Sequence, residues 1–408
     1  MFYKLNFRVI FQLLGVLLTF NGALMFLAVG MSWLTQDQST LPLLKASVGV
    51  LLVGILLLII FRGVQPQIQK REGYLVVTLG WLAMTLTGML PYLVTGSVPN
   101  ISYAFFETMS GYTTTGATIL TDIESLPKGL LFWRSITHWI GGMGIIVLTI
   151  AILPILGIGG MQLFAAEVPG PNSDKLHPRI TDTAKRLWLL YFRYTLAETP
   201  LLSLAGMSFF DAINHAMSTL STGGFSTKNN SIAFWNDQPL IQYIIMFFMV
   251  VAGANFVLSY FGFTGSFRKV FSDIEFKYYL WFIGIFTLFV CSYFLIQNII
   301  PGALNSHPQV WGSSESAFRH ALFQVVSILT TTGFVTADYT SWAPILTLIF
   351  FGLMFVGGSA GSTSGGIKVV RHLLMIRSGI LEFKRALHPN AILQVRYNNR
   401  VVNEGIVQ

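Results

Sequence analysis

The sequence predicts an all-α polytopic membrane protein, and three observations carry that expectation. Charged residues make up 10% of the 408 residues and hydrophobic ones 53%, against roughly 25% charged in a soluble globular domain. Apolar runs long enough to cross a bilayer recur along the chain. Between them lie three short polar segments of similar sequence, so the fold is expected to repeat a unit of span, pore loop and span.

Apolar runs at 9–34, 41–62, 74–96, 131–157, 187–207, 239–263, 278–300 and 343–357, the last resuming at 366–381, give eight crossings. Lys4 and Arg8 precede the first as they would in a signal peptide. That run is longer than the 7–15 residues of a signal h-region, and no small-residue cleavage site comes before the next span, so it reads as a retained helix. Basic residues set the orientation. With a cytoplasmic N-terminus, Lys128, Arg134, Lys228 and Arg319 lie on the outer side, Lys45 and Arg193 fall within spans, and the other nineteen of the 25 are cytoplasmic. The formal charge of +8 is therefore a topology device and not a nucleic-acid surface. Cys291, the single cysteine, cannot form an intrachain disulfide.

The polar segments read YAFFETMSGYTTTGAT at 103–118, FDAINHAMSTLSTGGF at 210–225 and HALFQVVSILTTTGFV at 320–335. Aligned without a gap, they place Gly116, Gly223 and Gly333 in register behind Thr114–Thr115, Ser221–Thr222 and Thr331–Thr332, with Glu107, Asn214 and Gln324 nine residues upstream. Irregular backbone at membrane depth survives only against protein or a watery cavity. Threonines with a glycine offer carbonyl and hydroxyl oxygens with little bulk, and rings of such oxygens replace the water shell of an alkali cation. No carboxylate lies in the three cores, which argues against a divalent ion. One such loop would read as an ordinary polar turn; three in register on one face argue for a shared lining. Glu107, Asn214 and Gln324 are expected to support the loops from pore helices rather than to touch the ion. His138, His215 and His320 show no metal spacing, so no metal site beyond the transported ion is assigned. Trp133, Trp235 and Trp342 follow the loops as an aromatic belt would.

A second feature interrupts the last span. Gly357, Gly358, Ser359, Ala360, Gly361, Ser362, Thr363, Ser364, Gly365 and Gly366 form a run that cannot sustain a helix, at about 1 kcal/mol per glycine relative to alanine. The competing reading is a close helix contact through small residues, but this run is too dense to keep its helix.

These loops, with HWIGGMGIIVLTIAILPILGIGGMQLF at 138–164 and GGSAGSTSGGIKVVR at 357–371, resemble the TrkH/KtrB family of potassium translocation proteins nearly end to end. The two spans before the first repeat, and EVPGPNSDKLHPRITDTAKRLW at 167–188, resemble its TrkH branch. The resemblance implies a pseudo-fourfold arrangement of pore units, three of the four present here, plus two N-terminal helices. It divides the chain into the N-terminal helices at 1–72, pore unit 1 at 73–185, pore unit 2 at 186–275, pore unit 3 with a broken second helix at 276–385, and a cytoplasmic tail at 386–408. The glycine of a fourth unit would fall at about residue 440 by the repeat spacing, so the chain is expected to be a piece of a longer protein.

The resemblance further implies a K+ selectivity filter at Thr114–Gly116, Ser221–Gly223 and Thr331–Gly333, a gate at 357–366, potassium as the transported ion and a bacterial inner-membrane location. It also implies a homodimer with a cytoplasmic nucleotide-binding regulatory subunit. A Na+-permeable pore and a cation-coupled secondary transporter remain as alternatives. An enzyme is not expected: the chain has no HExxH, no GxSxG and no carboxylate pair on its spans. It also lacks a GxGxxG on a strand–helix unit, so no nucleotide or other cofactor is expected on this chain.

Overall fold

The computed structural model describes residues 5–63, 70–144, 180–297, 311–388, 396–397 and 400–401. The second half of the predicted fourth span, the stretch 167–179 and most of the tail at 386–408 lie outside these residues. The chain divides into two compact units, residues 1–168 with 175–231, and 169–174 with 232–408.

In the first unit, α1 (Phe7–Thr35) and α2 (Thr40–Ile60) form a hairpin. A Cβ on Gly22 would lie 2.9 Å from the Cα of Leu51, so this glycine is what lets the two backbones approach. The turn is organised by Asp37, whose carboxylate accepts from Ser39 N (2.9 Å), the Ser39 hydroxyl (2.5 Å), Gly129 N (2.7 Å) and the Ser32 hydroxyl. Partial burial disfavours its charge, yet the Ser32 and Ser39 hydroxyls and the Gly129 and Ser39 N–H groups outweigh that and hold its pKa below the ordinary carboxylate value. A depressed folded pKa stabilises the fold above the unfolded value of about 3.9 and ceases to do so as pH falls through the folded one. Asp37→Asn should therefore lower the thermal midpoint at neutral pH and converge with wild type in acid; a constant gap across pH would contradict the assignment.

The third span is α3 (Lys70–Gly88) continued by α4 (Leu90–Val94). After it come the pore helix α5 (Ile101–Tyr112), α6 (Lys128–Gly142), α7 (Ile180–Leu204) and a second pore helix α8 (Phe209–Leu220). Asn100 caps α5, its side chain accepting from Ser102 N at 2.9 Å, and Ser208 caps α8, accepting from Asp211 N at 3.1 Å. The pore helices thus begin where the cap residues dictate.

The second unit holds α9 (Pro239–Gly253), α10 (Phe256–Phe263), α11 (Phe267–Ser272), α12 (Ile274–Ile296) and the third pore helix α13 (Ser313–Leu329). It ends in α14 (Pro344–Leu353), α15 (Val369–Leu387) and an antiparallel pair of two-residue strands, β1 (Arg396–Tyr397) and β2 (Arg400–Val401). Residues 354–368 between α14 and α15 are non-helical, where the glycine and serine density predicts a break.

Three expectations are revised. The apolar run 239–263 is not one rod: α9 and α10 meet at 115°, because the Asn255 side chain caps α10 by accepting from Val257 N at 2.8 Å. Among the described residues four helices are long and apolar enough to span, five if this bent pair is one. Trp133, Trp235 and Trp342 are buried rather than set in a lipid-facing belt, and Trp133 donates to Gly88 O at 2.9 Å. Arg134 and Arg319 are not solvent-side topology charges either, since each is buried and paired, with Glu107 and Glu315 respectively. The boundary between the two compact units, at 231/232, follows this packing: α8 packs on α6 and α7 whereas α9 packs on α13.

Candidate functional site

Each pore helix ends in the same turn. Thr113 N, Ser221 N and Thr330 N continue the helical bonding to Met109 O, Met217 O and Val326 O. The next residues, Thr114, Thr222 and Thr331, are left-handed with φ of 52°, 53° and 57°. The following amides, Thr115 N, Gly223 N and Thr332 N, reach back 2.9 Å to Ser110 O, Ser218 O and Ser327 O. This is a Schellman closure, in which glycine ordinarily takes the left-handed place. A β-branched residue there costs on the order of 1–3 kcal/mol. Three strained threonines at equivalent positions mark these turns as more than helix ends.

A second left-handed residue follows in each turn: Gly116 (φ 75°), Gly224 (φ 80°) and Gly333 (φ 83°). The structure therefore moves the second segment by one residue. Gly224, not Gly223, takes the place of Gly116 and Gly333, while Gly223 stands with Thr115 and Thr332, and Thr222 with Thr114 and Thr331. The upstream polar position moves too, from Asn214 to His215. The register is confirmed by side chains: Thr118 donates to the Glu107 carboxylate at 2.9 Å, and the Ser226 hydroxyl meets His215 Nε2 at 2.9 Å, over the same separation of eleven residues. Asn214 instead donates along its own helix to Phe210 O at 2.7 Å. Gln324 keeps the predicted register and is buried in α13.

Helix α6 runs along the seam of the first two segments. Arg134 donates through Nε to Glu107 at 2.7 Å and through Nη1 to Ser226 O at 3.1 Å. Glu107 also accepts from Ile119 N at 3.1 Å. The carboxylate therefore accepts from the strand-like stretch after its own loop, while its cation holds the backbone after the second. Gly141 and Gly142 let α6 fit between the two loops: a Cβ on Gly141 would lie 3.1 Å from Thr114 Cγ2, and one on Gly142 2.5 Å from Ser221 Cα. The first two loops themselves abut, since a Cβ on Gly116 would run into the carbonyl of Gly223.

The third segment is held by its own network. Arg319 donates to Glu315 at 2.8 Å and to Gln242; Gln242 donates to Asn236 at 2.5 Å, and Asn236 donates to Thr336 O at 2.9 Å. Below it, the non-helical residues between α14 and α15 fold back on themselves, with Val356 and Ile367 bridged in parallel and Val369 N donating to Gly358 O at 3.1 Å.

This loop seats in the break between α9 and α10. Ser359 N donates to Gly253 O (2.8 Å), Phe256 N to Gly361 O (3.0 Å) and the Thr363 hydroxyl to Ala252 O (3.2 Å). Two charges clamp it. Glu275, in the first turn of α12, accepts from Ala360 N at 2.6 Å and from the Tyr397 hydroxyl at 3.1 Å. The Lys368 ammonium donates to Ser364 O and reaches the Ser362 and Ser364 hydroxyls at 3.4 Å. Gly365 N donates to the hydroxyl of Thr331 at 2.7 Å, so the loop touches the turn that ends α13 directly.

Residues 44–407 match the family model described as TrkH, cation transport protein. The chain is 40% identical to the Trk system potassium uptake protein TrkH of Escherichia coli K12, over 99% of this chain and 82% of that protein. The chain belongs to the TrkH family. It is 37% identical to the TrkH protein of Halomonas elongata over the same shares. The crystal structure of the potassium transporter TrkH from Vibrio parahaemolyticus superposes with a TM-score of 0.84 at 34% identity, covering 99% of this chain and 81% of that one.

For this member of the TrkH family, the sequence pattern missed Gly224, His215, Asn255 and Glu275. Gly224 was within reach: matching Phe225 with Phe334 would have set TGGF against TTGF and given the right register. Asn255 after Gly253 and Ala254 in an apolar run is a helix-start signal. Glu275 carried none, because its partners lie 85 and 122 residues away.

Proposed function

We propose that this chain takes up potassium ions across the bacterial inner membrane as the pore-forming subunit of a Trk-type system. The three segments Thr114–Gly116, Thr222–Gly224 and Thr331–Gly333 serve as its selectivity filter, their carbonyls turned toward the ion, and residues 357–366 serve as its gate. Glu107, His215 and Gln324 brace the filter from the pore helices. The N-terminus is cytoplasmic, two copies associate, and a cytoplasmic nucleotide-binding subunit acts on the gate. The observation that carries this reading is the strained threonine followed by a left-handed glycine at the end of every described pore helix. Oxygens fixed in that way replace the hydration shell of a dehydrated alkali cation. The names of the relatives, potassium uptake proteins, support the choice of ion.

The test is ion discrimination in cells lacking other K+ uptake. Gly116→Ser and Gly224→Ser in the full-length protein should each admit Na+ alongside K+. At Gly116 the added side chain also meets the Gly223 carbonyl, so its effect should be the larger. Unchanged K+/Na+ uptake ratios in both variants would refute the filter assignment, and preferential Na+ uptake by the wild type would replace potassium with sodium.

A further inference from the structure

We propose that His138 is a specificity-determining positioning residue: from α6 it fixes the second filter segment, whose serine does not staple its own loop. This inference rests on the filter reading above. In the first segment the Ser110 hydroxyl donates to Ala117 O at 2.6 Å, and in the third the Ser327 hydroxyl donates to Phe334 O at 2.6 Å. Each bond ties the pore helix to the carbonyl just after the filter glycine. Ser218 stands at the equivalent position of the second segment, and its hydroxyl is paired with His138 Nδ1 at 3.2 Å instead. The loop staple is replaced by a side chain from a different helix.

The same imidazole takes over the stapled residue. Its ring lies parallel to Phe225, the residue after Gly224, with centroids 3.8 Å apart and planes 9° apart. The Arg134 guanidinium carbon is 3.4 Å from the same Phe225 centroid. Two groups that close to one ring must occupy opposite faces, so Phe225 is sandwiched between side chains one turn apart on α6. His138 also closes the space beside Gly223: a Cβ there would lie 2.6 Å from its Cε1 and 2.7 Å from its Cγ. Because the Gly223 carbonyl abuts Gly116, the imidazole sets how close the first two filter segments stand. It is fully buried, with Ser218 at Nδ1, the Phe225 ring against one face and the Ser110 backbone beside it.

A histidine that merely fills space would be replaceable by any side chain of its size without altering ion choice. A positioning residue would not, and the nitrogen that meets Ser218 should matter. The experiment measures K+/Na+ uptake ratio and membrane abundance of the full-length protein carrying His138→Phe, His138→Asn, His138→Ala, Gly223→Ala, or the last two together. His138→Phe should insert normally and lose discrimination about tenfold, as expected when one layer of the oxygen cage shifts. His138→Asn, which returns a polar atom near the Nδ1 position, should recover most of it. Gly223→Ala should fail alone, yet combined with His138→Ala it should be no worse than His138→Ala by itself, because the clash is gone. Wild-type ratios in His138→Phe and His138→Ala, a loss in His138→Asn as large as in His138→Phe, or additive losses in the double variant, would overturn the proposal. If Gly116→Ser and Gly224→Ser change the ratio while His138 variants do not, the filter reading stands and this inference falls. If none of them does, both fall. Should His138→Phe not accumulate, the asparagine variant and the Gly223 cycle decide.

Discussion

Glu107→Ala is expected to abolish uptake and to remove most of the protein from the membrane. The substitution leaves Arg134, 2% exposed, without its anion in the centre of the first unit. Breaking a buried pair by deleting one partner costs about 3–5 kcal/mol, because the remaining charge is uncompensated. That is a large share of a total stability of roughly 5–15 kcal/mol. The loss also has a local address. Ile119 N and the Thr118 hydroxyl lose their acceptor, and Arg134, freed from Glu107, no longer fixes Ser226 O or the face of Phe225. The turns that end α5 and α8 would relax together. Glu107→Gln should be milder, since the amide oxygen still accepts from Arg134 and Gln324 fills the equivalent place in α13. Membrane abundance and the thermal midpoint in detergent measure the effect; an alanine variant matching wild type in both would show that the pair contributes nothing.

Deleting Ala360 to Ser364 in the full-length protein should raise K+ flux several-fold and make it less dependent on the regulatory subunit. The deletion removes the Ala360 amide that Glu275 holds, the Gly361 carbonyl that Phe256 N uses, the Thr363 hydroxyl on Ala252 and the Ser364 oxygens on Lys368. What remains is too short to seat in the α9–α10 break and to reach Thr331 at the same time. Flux at background with normal insertion would make the segment a packing element and end the gating claim.

The sequence showed the helical fold, the repeat and the broken last span because each rests on local chemistry: apolar length, threonine beside glycine, and glycine density. It did not show what crosses between distant segments. The second segment shifts by one residue because STGGF offers two adjacent glycines, and only backbone angles tell which is left-handed. Arg134 and Arg319 were read as surface charges because counting basic residues carries no information on burial. Glu107 is expected from sequence to support its loop, but the cation that pairs with it, 27 residues on, carries no local signal. The bend at Asn255 was hidden by the apolar residues on both sides of it.

That bend has a consequence for biogenesis. Its two opened backbone groups, Gly253 O and Phe256 N, are completed by Ser359 and Gly361, residues made about a hundred positions later. Unpaired backbone groups in hydrocarbon are costly, so a nascent chain that has inserted 239–263 but not yet 359–361 lacks these two bonds, although the Asn255 cap already favours a break there. Docking of the glycine-rich segment is then a late step that completes the bend, and ribosome-stalled chains of increasing length should show it as a delayed change in protease or crosslinking pattern around Asn255.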